Sequence, residues 1–148
     1  MSGDFQIRVV GAAALIRRLN RLPDKVAKKL SKQALRAGAG VLRRHLRTTI
    51  TKSDDPYFEY KGRKIRKAHL ANSVTIWAQH PEVKNLPAVR LGYTGVSRFY
   101  GHLLESGTTH ARPQPFWRRG IAEKAPAVVL AVGKKLYADL AKAEAKLK

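Results

Sequence analysis

The segment FYGHLLESGTTHARPQPFWRRGI, residues Phe99–Ile121, carries the strongest local structural signals in the chain. Its LLESGT run is typical of a last helical turn ended by a glycine, because Gly107 can adopt the left-handed backbone conformation without steric cost. Pro113 and Pro115 fix their own φ angles and favour extended geometry at the residues before them. We therefore expect a helix that ends at Gly107, then a stiff linker that presents Phe116–Trp117 to a packing partner.

The aromatic pair of this segment has two possible roles. Large aromatic side chains usually lie in a core, which would place Phe116 beneath a C-terminal helix. Alternatively, Phe116 and Trp117 lock an interface with another subunit, and Trp117, next to Arg118 and Arg119, is the stronger candidate. We expect a structural role for Glu105, which would accept hydrogen bonds from backbone N–H groups or from nearby threonine hydroxyls as the chain turns.

Composition limits the class of protein. The chain has 148 residues, the size of one domain, which we take to span residues 1–148 with a loop or hairpin insertion at about 51–68. It is 44% hydrophobic but has no run near the ~20 apolar residues that span a bilayer, and its first residues do not resemble a secretory signal, so we expect a cytoplasmic protein. It has no cysteine, which excludes disulfides, zinc–thiolate sites, iron–sulfur clusters and thiol nucleophiles.

The charge balance predicts an anionic partner. Lysine and arginine number 30 against 10 aspartate and glutamate residues, which gives a formal net charge of +20. Self-repulsion on this scale disfavours a compact state unless a partner neutralises it. Nucleic acid and an acidic protein surface both satisfy this requirement, and charge alone does not separate them. A well-solvated basic surface without a bound partner is the remaining alternative.

Hydrophobic periodicity predicts an α+β fold. We expect a small antiparallel sheet of three to four strands packed against a long basic helix and a C-terminal helix, with the first two helices across one face of the sheet. Pro126 suits the first turn of the C-terminal helix. The predicted elements are strands at 5–10, 72–79 and 88–93 and helices at 12–22, 24–50, 99–106 and from about 126.

The predicted helix at 24–50 has more apolar perimeter than one sheet can cover. Its second apolar strip comprises Leu35, Leu42 and Leu46, which either the chain's own C-terminal helix or a neighbouring subunit would cover. A run of small residues permits close approach of a neighbouring element, and it comprises Ala37, Gly38, Ala39 and Gly40. A basic ridge, our candidate anion-contact surface, follows another side of the helix and comprises Lys25, Lys29, Lys32, Arg36, Arg43 and Arg47.

The region from Thr51 to Ala68 loses helical periodicity and favours a long loop or a hairpin that turns at Lys61–Gly62. Aromatic residues here are followed by five basic candidates for anion contact, Lys61, Arg63, Lys64, Arg66 and Lys67. This pattern is compatible with a nucleic-acid contact, with ordering against a neighbouring protein, or with a solvated loop.

The sequence offers little for catalysis. Of its five histidines, only His102 shares a helical face with an acid, Glu105, and zinc-ligand spacing is missing. We find no glycine-rich phosphate loop, no nucleophile elbow and no carboxylate pair flanking a cleft. We therefore expect a protein that is not an enzyme and that needs no cofactor and no metal.

Residues 99–121 resemble the signature of the head-tail joining proteins, also called tail-completion proteins, of long-tailed lambdoid-type phages. The match is a tyrosine, a small residue, a glutamate, a glycine–threonine step and a proline–phenylalanine step, followed by an arginine. The matching residues are Tyr100, Gly101, Glu105, Gly107, Thr108, Pro113, Pro115, Phe116 and Arg118. The chain differs from many members at Arg66–Ala68, where they carry a proline and a threonine–glycine step, and in its longer insertion at 54–66.

The resemblance implies a structural protein of the virion neck. Such a subunit assembles into a ring, expected to contain six copies, between the head connector and the tail tube, and is made in the host cytoplasm. Its partners would be other copies of itself, the adjacent head-completion or connector proteins, the tail-terminator or tail-tube proteins, and DNA in the channel, with no membrane involved. The alternative is a free-standing basic protein that binds nucleic acid.

Overall fold

The computed structural model describes residues 12–50, 57–60, 62–66, 70–78, 87–95, 97–109 and 112–146. These residues form an α+β structure that is mostly helical. The strand predicted at residues 5–10 lies outside them. The helices and strands are α1 (Ala12–Leu19), α2 (Asp24–Thr49), β1 (Tyr57–Tyr60), β2 (Arg63–Arg66), α3 (Leu70–Ser73), β3 (Val74–Ala78), β4 (Val89–Tyr93), α4 (Ser97–Ser106) and α5 (Phe116–Ala145).

The two long helices, α2 and α5, pack against each other. They approach closely at Gly38, where a Cβ atom would lie 2.5 Å from Cγ2 of Val132 and 3.1 Å from the carbonyl oxygen of Val128. Any larger residue would force the helices apart, since real Cβ atoms do not approach carbon this closely. The predicted close approach at the small residues of α2 is confirmed at this position.

Strands β3 and β4 form an antiparallel pair that places one face on the core. Val74 pairs with Tyr93 and Ile76 with Leu91, so the predicted inward residues of both strands share a face. Val74 is 0% exposed. The buried core comprises Leu46, Ile50, Ala71, Val74 and Phe116, with Leu42, Leu70, Leu91, Tyr93 and Trp117 packed against it.

The sheet differs from the prediction of three to four strands in one sheet. Within the described ranges, β1 pairs with β2 and β3 pairs with β4, in two separate two-stranded sheets. The hairpin turn at Gly62 has a φ of 71°, which brings the two four-residue strands β1 and β2 directly together. The predicted turn at Lys61–Gly62 is thus a hairpin turn, and its strands pair with each other instead of extending the β3–β4 sheet.

Helix α1 lies elsewhere than expected. The prediction placed both early helices across the sheet, but α2 contacts β3 and β4, whereas α1 packs against α5. The guanidinium of Arg18 binds the carboxylate of Glu144 through two hydrogen bonds and lies 5.1 Å from the ring centroid of Tyr137. A bidentate ion pair and a cation–π contact therefore hold α1 against the last turns of α5.

Helix α5 begins ten residues before the predicted position, at Phe116, and Pro126 lies inside it. A proline removes one helical hydrogen bond, here the bond to the carbonyl of Ala122. Both residues are exposed, so water can satisfy that carbonyl. The prediction that α5 begins near Pro126 is therefore wrong. The first turn of α5 is instead set by a contact from α4.

Candidate interaction site

The linker between α4 and α5 docks on the end of α4. Gly107 has a φ of 79°, as predicted for the residue that ends the helix, and its N–H donates to the carbonyl of Leu103 at 2.8 Å. The N–H of Gln114 then donates to the carbonyl of Leu104 at 2.8 Å. Pro115, with φ −78° and ψ 60°, forms an inverse γ-turn closed by a 2.8 Å hydrogen bond from the N–H of Phe116 to the carbonyl of Gln114.

The carboxylate of Glu105 caps helix α5. Its Oε2 accepts the backbone N–H of Trp117 at 2.9 Å, and its Oε1 accepts that of Arg118 at 3.2 Å. The first N–H groups of a helix have no partner within it, and the helix dipole favours a negative charge there. The side chain is 15% exposed, so these bonds compensate much of the cost of burying it. The predicted acceptance of backbone N–H bonds by Glu105 is confirmed.

An aromatic cluster joins β4 to the first turn of α5. The ring of Tyr93 lies 6.5 Å from that of Phe116 in an edge-to-face arrangement and 5.5 Å from that of Trp117. Phe116 is 8% exposed and belongs to the core, while Trp117 is half-buried against it. Of the two open roles, the structure assigns Phe116 to its own core.

Gly101 provides the space for the Tyr93 ring. A Cβ atom at Gly101 would lie 2.3 Å from Cε2 and 2.6 Å from Cδ2 of Tyr93, so helix α4 can lie on this ring only with glycine there. Tyr100, the neighbouring signature residue, is 38% exposed. The signature therefore requires a small residue at position 101 because the Tyr93 ring at the end of β4 packs against it.

The hydroxyl of Tyr93 lies in an unusual environment. Its oxygen is buried and has no hydrogen-bond partner among the described residues. Burial raises the pKa of this phenol well above its usual value, and the negative charge of Glu105 raises the pKa further. The phenol therefore stays neutral at any physiological pH and acts as part of the packing.

The apolar strip of α2 is mostly internal. Leu46 is 0% exposed and lies in the core, with Leu42 packed against that core, so these two candidate interface residues contact their own chain. The reason is that α2 is covered on one side by β3 and β4 and on another by α5. Leu35 is half-buried. Of the other candidates, Arg118 is exposed, and Trp117 packs against the core like Leu42.

The basic ridge of α2 is only partly open to a partner. Lys25, Lys29 and Arg36 are exposed, whereas Lys32 and Arg43 are half-buried. Arg47 donates from Nη2 to the carbonyl of Val74 at 3.0 Å and to that of Asn72 at 3.3 Å. Its guanidinium thus holds the start of β3, so this predicted anion contact is already engaged within the chain.

The basic residues of the hairpin are located only in part. Arg63, Lys64 and Arg66 lie on β2, which directly follows the turn. Lys61 and Lys67 lie outside the described residues. The structure places the three described cations on a two-stranded ribbon separate from the β3–β4 sheet.

A cluster that the sequence analysis missed lies on the outer face of the β3–β4 sheet. Trp77 pairs in register with Arg90, whose guanidinium carbon lies 5.9 Å from the indole centroid. The guanidinium carbon of Arg98 lies 5.8 Å from the same centroid, and its Nε donates to the carbonyl of Tyr93 at 3.2 Å. The strand alternation that directs Val74 inward also places Trp77 on the opposite face. This alternation was the sequence signal from which an exposed aromatic site could have been predicted.

The histidine and acidic side chains of the described residues are dispersed. No three of the described histidine, aspartate and glutamate residues lie close enough together to bind a metal ion. His102 is exposed and lies 3.5 Å from the hydroxyl of Ser106, while His110 lies outside the described part of the chain. Within that part, every helix is too short or too polar to cross a bilayer.

One comparison with known proteins gives a match. Residues 13–107 match a family model named HK97-gp10_like and described as "Bacteriophage HK97-gp10, putative tail-component". The matched range covers more than half of the chain and extends from α1 to the Gly107 turn. No curated protein and no solved structure matches the chain significantly.

Proposed function

Because this chain belongs to the HK97-gp10-like family of bacteriophage tail components, we propose that it is a head-tail joining, or tail-completion, subunit of the virion neck. Six copies form a ring between the head-side connector and the tail tube, and the subunit assembles in the host cytoplasm. The protein acts by binding its neighbours and has no catalytic step, cofactor or metal.

The family match carries this proposal, and the site geometry supports it. Glu105, Gly107 and Phe116, which are part of the resemblance to head-tail joining proteins, fix the angle at which α5 leaves α4. A subunit that must fit between two rings needs such a defined relation between its helices. The formal charge of +20 suits neighbours with acidic faces and suits DNA in the channel.

Exposed apolar side chains supply a surface for contact between copies. Leu130 is 57% exposed and Tyr137 is 60% exposed, and their spacing of seven residues puts both on one face of α5. Ile16 on α1 is 55% exposed. These residues take the place of Leu42 and Leu46 as the contact surface between subunits. We expect the isolated protein to be monomeric or weakly associated because its charge opposes assembly without anionic neighbours.

Complementation of a phage that lacks this protein tests the proposal. Without it, we expect separate filled heads and separate tails in electron micrographs, and plasmid-borne wild-type protein should restore joined particles. Leu130→Glu should fail to restore them, while Lys28→Glu, at an exposed position of α2 away from this face, should succeed. Joined, infectious particles in the absence of the protein would refute the proposal. A stable hexamer of the isolated chain at low concentration would refute the expectation that the ring forms only on neighbouring proteins.

Binding of nucleic acid is the second candidate function. The cluster of Trp77, Arg90 and Arg98 favours it, because an aromatic face flanked by guanidinium groups can stack on bases and contact phosphates. This candidate predicts tight binding to DNA that weakens steeply as salt increases. No binding near physiological salt would dismiss it.

A further inference from the structure

A cleft of about 430 Å³ lies between the first turns of α2 and the last turns of α5. Cationic and apolar side chains both line it. The lysines are Lys25, Lys29, Lys142 and Lys146, and the apolar residues are Val26, Leu30 and Ala143. The cleft is far from the aromatic cluster in sequence, and it is formed by parts of the two helices that the cap and the core do not use.

The four lysines concentrate positive charge around one concave surface. None of them forms an ion pair with another described residue. Their mutual repulsion is left uncompensated in the isolated chain, so an anionic occupant would relieve it. Lys28, exposed on α2 but outside the cleft lining, carries the same charge without this convergence.

Asp139 gives the cleft a polar floor. Its side chain is only 9% exposed, and Oδ1 accepts a 2.9 Å bond from Lys135. Its Oδ2 is buried without a hydrogen-bond partner in the described part of the chain, although buried carboxylate oxygens are normally paired. The carboxylate therefore places one negative charge beneath the four lysines, and Lys135 already pairs with it.

We propose that this cleft binds an acidic, amphipathic segment of a neighbouring virion protein. Carboxylates of the segment pair with the lysines at the rim, and an apolar side chain fills the space over Val26 and Leu30. That the segment belongs to a virion protein rests on the proposed function. Its acidic and apolar character follows from the side chains that line the cleft.

The lining favours a protein segment over DNA. Val26 is 37% exposed in a cleft where a phosphate backbone would leave it without an apolar partner.

Binding of a fluorescein-labelled synthetic peptide of glutamate and leucine in helical alternation tests the inference on the isolated full chain. We expect binding in low salt, and a loss of affinity of at least ~10-fold in the double variant Lys25→Glu, Lys142→Glu, because two favourable charge contacts become repulsive. The control Lys28→Glu, Lys134→Glu makes the same change in net charge outside the cleft and should change affinity by less than about 3-fold. Circular dichroism verifies that each variant is folded.

Three outcomes would overturn the inference. These are no binding of the peptide, equal loss in both double variants, which would indicate a net-charge effect alone, and displacement of the peptide by duplex DNA with the same dependence on Lys25 and Lys142. A peptide with asparagine in place of leucine should bind more weakly, and unchanged affinity would contradict the apolar contact. Complementation is measured separately, so failure of peptide binding with normal particle assembly would remove the cleft and leave the proposed function standing.

Discussion

The carboxylate oxygen Oε2 of Glu105 lies 2.9 Å from the backbone nitrogen of Trp117, so the last turn of α4 caps the first turn of α5. The same carboxylate also accepts the N–H of Arg118. One side chain therefore sets where the longest helix begins, and it does so across a linker of irregular structure. Pro115 precedes the helix and makes no side-chain cap of its own.

We expect Glu105→Ala to destabilise the fold by about 1 to 2 kcal/mol, because two N–H donors lose their acceptor and the helix dipole loses a compensating charge. Glu105→Gln keeps one acceptor oxygen and should cost about half as much. Chemical denaturation monitored by circular dichroism measures both. Glu123→Gln on α5 serves as the control, because this 59% exposed carboxylate contacts His45 at 3.1 Å but caps no helix. Equal effects of the Glu105 and Glu123 variants would show that the cap contributes nothing.

Gly101→Ala should destabilise the protein by about 1 to 3 kcal/mol, because the new methyl group would overlap the Tyr93 ring. Gly133→Ala is the matched control, since a Cβ atom at this helical position meets no atom within 4 Å. That substitution should stabilise α5 by about 0.5 to 1 kcal/mol through the higher helix propensity of alanine. Thermal midpoints that shift in the same direction for both variants would contradict the packing assigned to Gly101.

Raised pH should weaken the fold through Tyr93. Its pKa in the folded state lies above that of the unfolded chain, about 10, so above that pH the unfolded state releases a proton that the folded state retains. The stability contributed by the neutral phenol is complete below pH 10 and decreases as the pH rises further. Denaturation midpoints measured from pH 8 to 11 should fall more steeply for the wild type than for Tyr93→Phe. The control, Tyr137→Phe, alters a tyrosine that is 60% exposed and should leave the slope unchanged.

Local signals in the sequence located several features correctly. The end of α4 at Gly107 depends on one residue's freedom at positive φ, and the extent of α2 depends on uninterrupted periodicity between Pro23 and Ile50. The inward faces of β3 and β4 depend on strict alternation. Each of these features depends on residues within one element, so the sequence of that element is sufficient to predict it.

Other features arise from contacts between distant segments. The start of α5 depends on a carboxylate eleven positions before Phe116 in the chain, which local propensity around Pro126 does not reveal. Leu46 lies in the core because α5 and the β3–β4 sheet both pack against it, although its position on α2 was equally compatible with an interface. The contact of Trp77 with Arg90 and Arg98 required the register of β3 and β4 and the start of α4.

The cap has a consequence for how this chain can vary. Glu105 lies within the matched range 13–107, and the helix that it caps begins at residue 116, beyond that range. The hydrogen bonds of the carboxylate go to main-chain amides, which every residue except proline provides. The exposed guanidinium of Arg118 adds an ion pair at 3.7 Å, which is a weak contact at the surface. The junction therefore accepts helices of different sequence. A different C-terminal helix grafted after residue 115 would begin at the same position, provided that it has an apolar residue in place of Phe116 in the core.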